Sequence, residues 1–174
     1  MATRSTIAIE YADGTVGQVY CHWDGYLEHN GKILAEHYSN PFILRDLIDM
    51  GDISSLGKII GTQHPFSPFE SDTAEFKALP QDEQERIKAA TKAAYDLAQA
   101  SGATTFYGRD RGETNIQAKT FANFADYVAR HQYEEFEYIL RNVNGEAVWF
   151  VSKYNGPYVP LADELATIKE EETV

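Results

Sequence analysis

The sequence predicts an α+β domain: a single antiparallel sheet built from N- and C-terminal hairpins, with helices on one face. Three observations carry this reading. Asp13-Gly14 separates apolar stretches at 6–11 and 16–23, and Asn144-Gly145 separates 135–142 from 146–153. Both dipeptides are signatures of a two-residue hairpin turn, because both of their residues accept positive φ. Between the hairpins apolar residues recur at helical spacing. The 174 residues match one domain, long enough to bury a sizeable core.

Taken in order, the first hairpin closes if Ala12 pairs with Thr15. Ile9 then faces Gln18, Ile7 faces Tyr20, Ser5 faces His22 and Arg4 faces Trp23. This register puts Ile7, Ile9, Tyr11, Val16 and Tyr20 on the core face and Thr6, Ala8, Val19, Cys21 and Trp23 on the other. It also lays Arg4 over the Trp23 ring, a contact of about 0.5–1 kcal/mol at an exposed site. Ile33, Leu34, His37 and Tyr38 share one face of a helix over 28–38. Asn40-Pro41 reads as the N-cap and first residue of a second helix, which Gly51 ends. Residues 52–61 suggest one more helical turn, and 62–79 a long loop, since Pro65 and Pro68 fix φ and remove donors. From Pro80 to Ser101 runs the clearest helix, with Ile87, Ala90, Ala94, Leu97 and Ala98 as its seam and Gly102 as its stop. A short strand at 103–107, a helix around 121–128, the second hairpin and a final helix over 161–168 complete the chain. The sequence shows no repeat or linker, so residues 1–174 form one domain, with 169–174 as a frayed acidic tail.

Composition excludes several classes of function. The formal net charge is −12, which repels phosphate backbones and argues against direct nucleic-acid binding. No apolar run approaches the ~18 residues of a membrane span, so no membrane partner is expected. One cysteine, Cys21, rules out an internal disulfide and argues against a cysteine-built metal site, and the expected location is the cytoplasm.

Two stretches are dense in chemistry. Tyr20-Cys21-His22-Trp23-Asp24-Gly25-Tyr26 combines three aromatics with a histidine, a carboxylate and the cysteine where a strand runs into a turn. At that strand end Trp23, Asp24 and Tyr26 are the best placed to bind, with Tyr20 assigned to the core and His22 to either role. Tyr107-Gly108-Arg109-Asp110-Arg111-Gly112-Glu113 concentrates Arg109 and Arg111 between glycines, which suits an anion. Asp110 and Glu113 could instead neutralise those arginines. His22, His29 and His37, with Asp24 or Glu36, lack the close spacing of a metal site, so neither metal nor cofactor is expected. Cys21 and His22 point to opposite faces of a strand and cannot form a nucleophile pair. Carboxylates cluster at Glu70–Glu75, Asp82–Glu85 and Glu134–Glu137.

Thr3-Arg4-Ser5-Thr6-Ile7, Tyr20–Tyr26, Gly31-Lys32-Ile33-Leu34, His37-Tyr38 and Gly51–Gly57 together resemble a family of small, functionally uncharacterised proteins of phages and bacteria. The likeness covers about the first sixty residues, with a weaker second block at Tyr107–Glu113. It carries no activity of its own. The phage context it implies is counter-defence, in which accessory proteins sequester nucleotide-like immune signals or block a host defence protein. The leading expectation is a non-catalytic homo-oligomer that binds a small anionic, base-containing ligand through Trp23, Asp24, Tyr26, His22, Arg4, Arg109 and Arg111. The runner-up is an acidic inhibitor or nucleic-acid mimic that binds a defence protein. A phosphodiesterase-like hydrolase comes third.

Overall fold

Both hairpins form in the computed structural model, which describes residues 1–69 and 73–172. Strand β1 (Ser5–Glu10) pairs antiparallel with β2 (Val16–Cys21), and β6 (Phe136–Val143) with β7 (Glu146–Lys153). Short strands β3 (Ile53–Ser55), β4 (Thr105–Phe106) and β8 (Val159–Pro160) extend one open sheet in the order β4-β3-β2-β1-β6-β7-β8. A further strand, β5 (Lys119–Phe121), pairs with β2 off this path. The fold is α+β.

Within that class the details depart from the sequence reading. The two hairpins meet edge to edge with β1 parallel to β6, from Ser5↔Phe136 to Ile9↔Leu140, and β2 runs parallel to β3 at Cys21↔Ile53. The sheet is therefore mixed rather than wholly antiparallel. Helical connections lead into β3 and β6, and long crossovers permit parallel neighbours where tight turns do not.

The first hairpin closes one residue away from the predicted register. Ser5 faces Cys21, Ile7 faces Val19 and Ile9 faces Gly17. Of Asp13 and Gly14 only Gly14 has positive φ, +88°, so a two-residue type I′ turn does not form. Instead Tyr11 N–H donates to Thr15 O and Gly14 N–H to Tyr11 O, which makes a three-residue loop. The Asp13 carboxylate holds it by accepting from Thr15 N and Oγ1. A one-residue slip exchanges faces on one strand. Val19 and Cys21 consequently join Ile7 and Ile9 in the main core, while Val16 and Tyr20 turn to the second face. The second hairpin does form the expected turn, with Asn144 at +53° and Gly145 at +88°.

Helices cover both faces, not one. On the main face a π-helical turn (Leu27–Gly31) leads into α1 (Lys32–His37), followed by α2 (Pro41–Asp49). Asn40 caps α2 by accepting from Phe42 N at 2.9 Å, and Leu44, Leu47 and Ile48 are its buried stripe. Helix α6 (Leu161–Glu172) completes that face, and residues 169–172 form its last turn. Residues 173–174, and Glu70–Asp72 of one acidic cluster, lie outside the described residues. On the second face α5 (Phe124–Arg130) places Tyr127 over Ala8, Val16 and Ile139. Beside it buried Glu137 has its Oε1 2.6 Å from His131 Nε2 and accepts from Tyr158 at 3.2 Å through Oε2.

Two further expectations are corrected. Residues 53–55 are strand β3, not a helical turn, because they extend the β2 edge: His22 N–H and Trp23 N–H donate to Ile53 O and Ser54 O. The long helix α4 (Gln81–Ser101) buries only Ala98, and Ala90, Ala94 and Leu97 of the predicted seam are exposed. Its half-buried stripe includes Gln84, Ile87, Thr91 and Tyr95, and the Gln84 amide donates to Lys77 O at the end of α3 (Ala74–Lys77) and to Leu79 O. No helix among the described residues is long and apolar enough to cross a membrane.

Candidate functional site

The strand order β2-β3-β4 sets the two chemically dense stretches side by side. Asp52 is the junction. Its carboxylate accepts from Tyr20 N–H at 2.9 Å, its carbonyl accepts from Tyr107 N–H, and its own N–H donates to Ile116 O. Burial raises its carboxyl above the ordinary range, against the opposing pull of the Tyr20 bond.

Tyr20 is the centre of the resulting shelf on the second face. It is half-buried, not core as the predicted register required. Burial pushes its phenol up to about 12, and Arg4, Glu134 and Tyr107 all lie close enough to act on it. On one side its hydroxyl lies 2.6 Å from His22 Nδ1. Either group can donate this bond, since a phenol and a neutral imidazole each carry a donor and an acceptor. The His22 ring meets the Trp23 ring edge-on at 4.7 Å between centroids, and Trp23 is 45% exposed. On the other side Tyr107 hydrogen-bonds Ser54 and has its phenol raised, chiefly by burial. The Arg111 guanidinium lies between Tyr107, 4.9 Å away, and exposed Phe66, 5.0 Å away, and its partner Glu113 is 3.5 Å distant at the surface.

Arg109 belongs elsewhere. Its guanidinium donates to Asp110, Gly61 O and Thr104 O, and it lies over the Phe106 ring. Asp110, fully buried, also accepts from His64 N and Phe106 N. Buried His64 joins the same knot through Thr62 O and Thr105 Oγ1. Arg109 is thus a structural tie and is removed from the binding set. Arg4 is exposed near Tyr20. The true register, carried one step past Ser5↔Cys21, puts it opposite His22, and no ring lies beneath it among the described residues. The contact expected between Arg4 and Trp23 therefore does not form.

The turn after Trp23 is fixed by backbone fit. Asp24 sits at φ +57°, and a Cβ on Gly25 would come within 2.7 Å of Ser5 Cβ and 2.9 Å of Thr3 O. Tyr138 donates to Gly25 O at 2.7 Å, and buried Asn30 donates to Ser5 Oγ, Cys21 Sγ and Trp23 O. Burial pushes the Cys21 thiol up to about 11, so it is no nucleophile. Asp24 engages Tyr26, whose phenol its charge raises, and Tyr26 lies 6.2 Å from the His29 ring. These three form a second, smaller cluster in the turn that follows Trp23. Sequence reasoning missed Asp52, Asn30, Ser54 and Phe66. Asn30 carried no signal, and Phe66 lay in a stretch read only as loop.

No group of three or more histidine, cysteine or acidic side chains suited to a metal gathers among the described residues. No family model, curated protein or solved structure matches the chain.

Proposed function

We propose that the protein is a non-catalytic binder of a small, anionic, base-bearing ligand of the nucleotide class. The base lies against Trp23 and the Tyr20–His22 edge, while Arg111 and Arg4 hold phosphate. One observation carries this reading: β3 alone separates the aromatic run from the Tyr107–Arg111 loop, so aromatic and cationic groups share one open shelf. Each base stacked on an aromatic side chain contributes about 1–3 kcal/mol, and a guanidinium fork matches phosphate oxygens. The exposure of Trp23 favours a ligand over the reading as an acidic mimic, in which that ring would be structural. His22 Nδ1 already pairs with the Tyr20 hydroxyl, and among the described residues no other acid–base group is hydrogen-bonded to His22, which favours holding over turnover. Sequestration of a signal, as the likeness to phage proteins implies, is the role such a binder would fill.

Isothermal titration against a panel of cyclic di- and trinucleotides and ADP-ribose derivatives tests this. A panel member binds at micromolar protein and is recovered unchanged after prolonged incubation. Absence of binding by every member overturns the reading, and conversion of the ligand overturns its non-catalytic part.

A further inference from the structure

The main face of the sheet carries a groove remote from the shelf. It lies between α1, β7 and α6 and encloses about 540 Å³, with Ala35, Trp149, Leu161 and Leu165 among its apolar lining. At Ala147 it meets a second cavity of about 670 Å³, which runs over Ile9 and Leu140 to Phe42 at the start of α2. Phe42 is 68% exposed there. Both volumes suit a small ligand with an apolar body.

Two donors in the first groove have no acceptor among the described residues. Trp149 is 6% exposed, and its Nε1–H is buried without a partner. Lys32 is half-buried at the groove wall, and its ammonium group makes no hydrogen bond or ion pair among the described residues. A buried N–H without a partner is a standing cost that an arriving acceptor removes. The charged side chains lining this groove are Lys32, Glu36 and Lys169, and of these the Lys32 ammonium is a cation without a partner among the described residues. An apolar trough with two unfilled donors, one of them cationic, is complementary to an apolar chain that ends in an anionic acceptor.

We propose that this groove binds a single-chain amphiphile with a carboxylate head. The carboxylate sits between Lys32 Nζ and Trp149 Nε1, and the chain passes Leu161 and Leu165, crosses Ala147 and ends toward Phe42.

The chain has two tryptophans, so Trp23→Phe leaves Trp149 as the only one and makes its emission a report on the groove. Titration with dodecanoate below its micellar concentration changes that emission saturably, with one site by calorimetry. Dodecanol, of equal chain length and no charge, binds roughly tenfold more weakly. Lys32→Met weakens dodecanoate by a similar factor and leaves dodecanol unchanged. Ala147→Phe, at an exposed strand position, closes the passage between the cavities and abolishes binding while the melting transition is retained. Absence of saturable dodecanoate binding by the folded protein overturns the proposal. So does equal affinity for acid and alcohol that Lys32→Met does not change. Neither result bears on the nucleotide reading, which rests on the opposite face.

Discussion

Arg109 and Arg111 stand two residues apart in one loop, have the same side chain and do opposite things. Arg109 turns inward and spends its donors on Asp110 and on two carbonyls. Arg111 turns outward between Tyr107 and Phe66, with only the surface carboxylate of Glu113 at 3.5 Å. What separates them is the residue between. Asp110 is fully buried and must be neutralised by a cation within reach, and Arg109 is that cation. A ligand can recruit only the guanidinium that the fold has not already used.

The largest expected effect comes from breaking the inner knot. Asp110→Ala strands the Arg109 guanidinium and the amides of His64 and Phe106, and removing one partner of such a buried pair costs about 3–5 kcal/mol. Urea denaturation reads this as a lowered midpoint. Arg109→Ala costs somewhat less, about 2–3 kcal/mol, because two amides still reach the Asp110 carboxylate. Arg111→Ala shifts stability by only about 0.5 kcal/mol, as exposed pairs do, yet weakens nucleotide binding roughly tenfold by calorimetry. A large stability loss for Arg111→Ala, or none for Arg109→Ala, would invert the comparison.

The smallest effect concerns pH. The folded Tyr20 phenol titrates near 12, above its ordinary value of 10, so the protonated form is favoured by the fold. Its contribution to stability is fully present below pH 10 and is lost as pH rises through 12. An ultraviolet titration of Tyr20→Phe therefore lacks one late-ionising phenol that the native protein shows.

The two hairpins explain what could be read from the sequence. Asn144-Gly145 took the two-residue turn its chemistry favours, and every pairing beyond it followed. Asp13-Gly14 carries nearly the same signal. There, however, the Asp13 side chain bonds forward to Thr15 and stays out of positive φ, and one extra loop residue moved Val19 and Cys21 into the core. Capping at Asn40-Pro41 was legible because it is local. The parallel seam between β1 and β6 and the edge at β3 were not, since each depends on partners more than thirty residues away. For the site, the sequence marked the aromatic run and the arginine loop but not their adjacency. It could not distinguish Arg109 from Arg111, because burial of Asp110 is a property of the folded loop.

The central claim is that Trp23 and Arg111 hold one ligand. Calorimetry on Trp23→Ala, Arg111→Ala and the double variant, with the tightest-binding member of the nucleotide panel, tests it most directly. Neither single change disturbs a buried group, so all three proteins keep the native melting transition. The account predicts that each single change lowers affinity roughly tenfold and that the double variant binds too weakly to measure. Undiminished binding by both single variants would contradict it.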